Sequence, residues 1–181
     1  ARRASGMNLF FIGYRGTGKS TVARLVAERL GWPVVDADER LEAQAGRSIR
    51  EIFATDGERH FRDLESDVLR QLASGDRAVV ALGGGAVLRE ENRNEIARGG
   101  KTVWLRATTD TIWRRISLDP LTGQRRPNLT ARGGQDEIEE LLRVRNPLYS
   151  AAADFAVDTD DKTPQQIADD ILEWLAREGT L

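Results

Sequence analysis

Cysteine is absent from this chain of 181 residues, histidine occurs once, and no apolar run reaches the length of a membrane span. Without cysteine there are no disulfides and no thiolate metal sites, which fits a reducing compartment. The lone histidine, His60, is expected near the surface or behind a site, not in catalysis. A basic excess is also missing. Lys and Arg total 27 against 29 Asp and Glu, a net charge of -2 that gives no reason to expect nucleic acid as the main partner. Local arginine clusters can still bind anions. The opening ARRASG is basic but lacks a hydrophobic stretch of secretory type, and MNLFFIG is short and runs straight into a glycine motif. Residues 1–6 are therefore expected to lie outside the domain, with Met7 a natural start, and the protein is expected in the cytoplasm, off the membrane and monomeric. What is present is the mix of a soluble globular protein, 40% apolar and 31% charged, at a length that suits one domain.

Apolar segments alternate with helical patterns. NLFFI reads as a buried strand, and residues 20–30 as a helix with Val22, Leu25, Val26 and Leu30 on one face. WPVVDA is a second strand. A polar, largely helical region follows over about 39–74, broken near Gly46 and again at TDG. Residues 78–82 form a third strand closed by GGG, 89–98 a helix, and KTVWLR a fourth strand. A helix over 108–117 leads to DPLTGQRRPNLTARGG, near the upper length for a structureless connection and therefore a candidate lid. A helical pattern resumes over 136–144, and DFAVD is a short fifth strand. The last helix opens with a capping box, Thr163, Pro164 and Gln166. Short apolar strands separated by helices point to a parallel sheet covered on both faces.

GYRGTGKS, residues 13–20, matches G-x-x-x-x-G-K-[ST] and lies between a predicted strand and a predicted helix, the context that motif requires. Its glycines let backbone N–H groups turn inward around phosphate oxygens. Lys19 can reach the β- and γ-phosphates, Ser20 supplies an oxygen to Mg²⁺, and the helix start adds its positive end. Gly13, Gly16, Thr17, Gly18, Lys19, Ser20 and Thr21 are the candidate ATP-binding residues. A guanine-reading Asn-Lys-x-Asp is missing, which speaks against a switch GTPase. The third and fourth strands end in VALGGG and VWLRA, neither with a carboxylate at its tip. The strand-end acid left for the metal is Asp36, acting through water. These features favour a small-molecule kinase over a motor or switch ATPase. If the second strand continues through VVDAD, Asp36 and Asp38 point the same way, because side-chain direction repeats every two residues.

In order along the chain stand GYRGTGKS, DAD at 36–38, GERHFRDLE at 57–65, GGG at 83–85, RP at Arg126 and Pro127, and RNPLY at 145–149. In this combination the chain resembles the shikimate kinases from Met7 to about Leu175. The resemblance implies a three-layer α/β/α phosphate-loop kinase fold. Its elements are a five-stranded parallel sheet, an acceptor-binding helical insert over about 37–74 and a mobile lid over about 118–134, in one domain spanning 7–177. It implies transfer of the γ-phosphoryl of ATP, with Mg²⁺, to the 3-hydroxyl of shikimate.

By that resemblance Asp38 accepts hydrogen bonds from the acceptor hydroxyls and can take a proton, while Asp36 faces the metal. Arg62 grips the acceptor carboxylate, with Glu65 nearby; the three-residue spacing puts both on one helix face, and arginine's planar fork matches a carboxylate. Gly83, Gly84 and Gly85 give the acceptor close access to the backbone, and Arg145 is a second carboxylate-binding arginine at the end of the helix after the lid. Arg126 is the lid arginine that stabilises charge on the transferring phosphate. Arg114 or Arg115 stacks on adenine, Arg114 suiting the family position. The chain departs from the family at Asn128, where leucine is usual, and in the acidic turn DTDDKTP, which leaves Lys162 as the adenine-side cation there. A gluconate-type or nucleotide kinase, or a non-catalytic nucleotide-binding module, would use the same phosphate-loop core.

Overall fold

The computed structural model describes residues 6–118 and 134–179. Five strands, β1 (Asn8–Ile12), β2 (Val34–Asp36), β3 (Val79–Ala81), β4 (Gly100–Arg106) and β5 (Phe155–Asp158), form one parallel sheet in the order β2-β3-β1-β4-β5. The helices are α1 (Lys19–Leu30), α2 (Ala37–Ala45), α3 (Ile49–Ala73), α4 (Glu90–Gly99), α5 (Thr109–Leu118), α6 (Gly134–Ala152) and α7 (Pro164–Arg177).

The central strand shows why the sheet needs helices on both sides. Phe10 and Ile12 pack with Val80, Trp104, Phe61 and Tyr149 in one apolar cluster. Leu9 and Phe11 join Val79, Val103, Val26 and Ile171 in another. Alternate residues of a strand face opposite ways, so a strand buried on both sides reads as one apolar run, as LFFI does after Asn8. The first cluster takes in α2, α3, α4 and the end of α6, and the second takes in α1 and α7. The result is the three-layer arrangement expected.

Two expectations give way to local chemistry. The second strand does not run through both carboxylates: β2 ends at Asp36, whose Oδ1 accepts a hydrogen bond from the Glu39 N–H at 3.1 Å and caps α2. Acidic residues in a first helical turn meet the positive end of the helix, so Asp38 and Glu39 favour helix over further strand. Asp36 and Asp38 therefore sit on a strand end and a helix start. The helix expected over 136–144 also continues through Pro147 to Ala152, which places Arg145 mid-helix. Proline costs that turn one backbone hydrogen bond. Arg145 and Tyr149, one turn apart and both buried, hold the turn by packing. The expected break at TDG is present as a kink in α3 at Gly57, which has φ 85.

Because every strand is parallel, the segments leaving β1, β2 and β3 meet along the carboxyl edge of the sheet, where ligands bind in open α/β folds. At the opposite edge Asn8 ties β1 to the α3–β3 turn. Its Nδ2 donates to the Gly75 carbonyl at 2.8 Å, and its Oδ1 accepts from the Ala78 N–H at 3.1 Å, with the side chain 1% exposed. Asn8→Ala leaves both backbone groups without that partner and should cost about 1–3 kcal/mol. In urea unfolding this is expected as a lower midpoint with an unchanged slope.

Candidate active site

Between β1 and α1 the chain reverses over residues 13–18, using positive φ at Gly13 (141), Gly16 (81) and Gly18 (85). Side chains rarely adopt those conformations, which is why the motif has glycine there. Helices α2, α3 and α7 begin with side-chain caps from Asp36, Ser48 and Thr163. Helix α1 begins at Gly18 with no side-chain cap. Its first-turn N–H groups, Ser20 and Thr21 among them, are donors suited to an anion. Lys19 Nζ donates to the carbonyls of Gly13 (2.6 Å) and Tyr14 (2.8 Å), and Thr17 Oγ1 donates to Tyr14 O at 2.8 Å. These bonds tie Lys19 and Thr17 to the first two carbonyls of the loop.

Ser20 Oγ donates to Asp36 Oδ2 at 2.8 Å, joining the motif to the end of β2. A hydroxyl beside a carboxylate is a hard-oxygen pair that suits Mg²⁺, an ion that keeps several waters and takes few protein ligands. Among the described residues no group of three or more His, Cys, Asp or Glu gathers into a metal cage.

Across the same edge lies a cationic corner. Arg62 and Glu65, on α3 beyond the Gly57 kink, are 6% and 5% exposed, and Arg62 Nη1 donates to Glu65 Oε1 at 2.9 Å. Glu58 lies against Arg62 Nη2 at 3.4 Å. Arg145 comes in from α6 and is also buried. Among the described residues Nε of Arg62 and of Arg145 is buried without a hydrogen-bond partner, an exception among buried polar groups. The glycine turn after β3 makes room for both. A Cβ at Gly85 would fall against the Arg62 guanidinium, 2.6 Å from Cζ, and one at Gly84 would lie 3.3 Å from Arg145 Nη1. Gly83 closes the turn, its carbonyl accepting from the Ala86 N–H at 3.1 Å. Tyr149 donates to Gly84 O at 2.5 Å. Burial pushes this phenol up to about 12, against the pull of the Arg145 charge, so it remains a donor at neutral pH. Asp38 is half-buried in the first turn of α2, close in sequence to the Ser20 partner Asp36.

The two adjacent arginines of α5 separate clearly. Arg114 is exposed and reaches Thr111 Oγ1 at 3.4 Å. Arg115 donates to Gly16 O, Thr159 Oγ1 and Thr159 O, each at 3.2 Å, and so bridges the phosphate loop and the β5–α7 turn. Spacing alone does not reveal this, because the partners are carbonyls brought close by the fold. In the same turn burial raises Asp160, but hydrogen bonds from Thr111, the Thr108 N–H and the Thr108 hydroxyl, with the Arg115 charge, outweigh it and hold its carboxyl below the usual value. Lys162 pairs with Asp170 of α7 at 2.5 Å. His60 is exposed beside Asp56. Arg126, with the whole expected lid core, lies outside the described residues.

A cavity of about 600 Å³ opens at the opposite edge of the sheet, lined by Asn8, Trp32, Arg93, Lys101 and Asp154 among others. It contains none of the motif residues. Here position relative to the phosphate loop says more about chemistry than volume does.

A parallel sheet with a phosphate loop after its central strand, a hydroxyl–carboxylate pair beside it and buried arginines along the same edge is the architecture of a phosphate-loop kinase. The family model for shikimate kinase matches residues 15–176. A shikimate kinase of Rhodopirellula baltica is 44% identical, covering 92% of this chain and 89% of that one. Among solved structures, the shikimate kinase of Acinetobacter baumannii, in complex with shikimate, superposes with a TM-score of 0.89 at 32% identity, covering 96% and 95% of the two chains. A gluconokinase of Sinorhizobium meliloti covers 97% and 94% with a TM-score of 0.56, but at 19% identity it shows a common fold alone. The chain belongs to the shikimate kinase family.

Arg115→Ala would release the Gly16 carbonyl and the Thr159 turn together. Bonds from a charged donor are worth about 1.5–3 kcal/mol, so ATP affinity by calorimetry is expected to fall at least tenfold.

Proposed function

We propose that the protein transfers the γ-phosphoryl group of ATP to the 3-hydroxyl of shikimate, yielding shikimate 3-phosphate and ADP on the route to chorismate and the aromatic amino acids. The observation that carries this reading is the buried pair of arginines, Arg62 and Arg145, packed on the Gly83–Gly85 turn at the same sheet edge as the phosphate loop. Two guanidinium forks with unused Nε donors suit a small carboxylate acid, and they leave its ring hydroxyls to be read by other groups.

In this mechanism the amides of residues 16–21 cradle the phosphates, and Lys19 leaves its loop carbonyls to meet the β- and γ-oxygens. Ser20 and Asp36 would hold Mg²⁺, Asp36 through water; the ion supplies charge neutralisation on the phosphates. Arg62 and Arg145 fix the acceptor carboxylate, with Glu65 holding Arg62 in place. Gly84 and Gly85 admit the acceptor to the backbone. Asp38 orients the attacking hydroxyl and takes its proton as the new O–P bond forms and ADP leaves with the β–γ bridging oxygen. Phosphoryl transfer rests mostly on such positioning and charge stabilisation. Adenine lies by α5, near Arg114 and Arg115, with Lys162 at the far turn. Arg126 enters on its RP motif as the arginine that covers the transferring phosphate.

The same reading takes residues 7–177 as one domain, with α2 and α3 as the acceptor-binding insert over 37–74 and residues 118–134 as the lid. No helix among the described residues is long and apolar enough to cross a membrane. With a net charge of -2, we take the protein to be a cytoplasmic monomer working on small molecules and not on nucleic acid. A gluconate-type acceptor has only the shared fold behind it. A non-catalytic module is disfavoured because Lys19, Ser20 and Asp36 are all present, with Ser20 bonded to Asp36.

The test is ADP formation with ATP and Mg²⁺ on shikimate, quinate, gluconate and AMP side by side. Turnover selective for shikimate is expected, and selective turnover of another acceptor would overturn the substrate. Asp38→Asn should lower kcat on shikimate by roughly 10²–10⁴-fold with the ATP KM little changed. Gly85→Ala, which displaces the Arg62 guanidinium, should raise the shikimate KM by about tenfold or more, again sparing ATP.

A further inference from the structure

Tyr14 belongs by its backbone to the phosphate loop and by its ring to the acceptor side. Its carbonyl accepts from Lys19 Nζ and Thr17 Oγ1, both at 2.8 Å. Its side chain is 2% exposed and packs with Ile112 of α5 and Ile138 of α6. The Arg145 guanidinium lies over the ring, Cζ at 5.7 Å from the centroid, within the range of a cation–π contact. From the other direction Arg145 meets the glycine turn, where a Cβ at Gly84 would sit 3.3 Å from Nη1. Burial raises the Tyr14 phenol while the Arg15 and Arg145 charges pull it down, so the ring is neutral at physiological pH.

We propose that Tyr14 is a positioning residue for the acceptor: its ring fixes the plane of the Arg145 guanidinium and so sets how well a carboxylate acid is gripped, although Tyr14 itself lies in the nucleotide loop. The inference rests on the reading of Arg145 as a carboxylate-binding group. Arg145 is buried, with Nε unpartnered among the described residues and a hydrogen bond to the Tyr149 hydroxyl, so its fork owes its orientation to that bond and to the surfaces against it. On one side that surface is the Tyr14 ring, and on the other the Gly84 turn held by Tyr149. The tyrosine hydroxyl is not part of this role. The face of the ring is.

The consequence is an unusual kinetic signature for a residue inside a phosphate loop. Tyr14→Leu removes the ring, and Tyr14→Met removes it with an unbranched chain that adapts to an irregular gap, which guards against a variant that merely folds badly. Both are expected to raise the shikimate KM roughly tenfold, the scale of a desolvated cation–π contact, with the ATP KM within about twofold of wild type. Tyr14→Phe keeps the ring and should restore the wild-type shikimate KM. A purely structural role for Tyr14 would disturb both substrates together. Equal shifts in both KM values, no shift in the shikimate KM, or a Phe variant as impaired as Met would each overturn the inference. A second readout needs no turnover: the Arg145 Nε–Hε resonance, shifted by the ring current in wild type, should move in the Met variant and stay in the Phe variant. Wild-type protein that neither binds nor phosphorylates shikimate would sink the substrate assignment, whereas an Arg145 resonance indifferent to Tyr14→Met sinks the positioning role on its own.

Discussion

The site depends on one constraint, the turn by which the buried strand β1 becomes the uncapped helix α1. The strand is apolar on both faces and ends inside the molecule, so the chain must reverse at once with little side-chain volume. Glycines with positive φ make the reversal possible, and the absence of a side-chain cap at Gly18 leaves the first amides of α1 as donors. Had a serine or aspartate capped α1, as such residues cap α2, α3 and α7, that cap would compete with phosphate for the same amides. The loop is then steadied from outside, by Lys19 on its own carbonyls and by Arg115 on Gly16.

The acceptor side depends on charge that is buried and shared. Taking a guanidinium out of water is costly unless its hydrogen bonds are replaced. Arg62 recovers part of that cost through Glu65 and Glu58, and Arg145 through the Tyr14 ring and the Tyr149 hydroxyl. Neither is fully satisfied by the protein among the described residues, since the Nε of each is buried without a hydrogen-bond partner.

Much of this was legible in the sequence, for physical reasons that can be named. NLFFI announces a strand buried on both faces, and the phosphate loop declares itself because the chemistry fixes both residue types and spacing. What stayed hidden has physical causes as well. WPVVDA looked like a strand longer than β2 because strand propensity does not register that Asp36 can cap a helix. RNPLY looked like a helix end because the cost of Pro147 is local, whereas the packing of Tyr149 that overrides it is tertiary. That Arg115 bridges the phosphate loop and the turn after β5 rests largely on carbonyls at Gly16 and Thr159, and backbone partners leave no mark in composition or spacing. Tyr14 occupies a position that the motif leaves open, so its contact with a distant arginine had no signal at all.

The crowding at Gly85 has a consequence for how such a chain can change over time. The volume that a side chain at position 85 would need is the volume the Arg62 guanidinium occupies. The two positions are therefore not free to vary one at a time: a larger residue at 85 is tolerable only after the arginine has gone or swung away. Glycine at 85 and arginine at 62 are coupled through one shared volume, though one follows a strand and the other rides a helix. Losing the arginine would open space that position 85 could then fill with apolar volume.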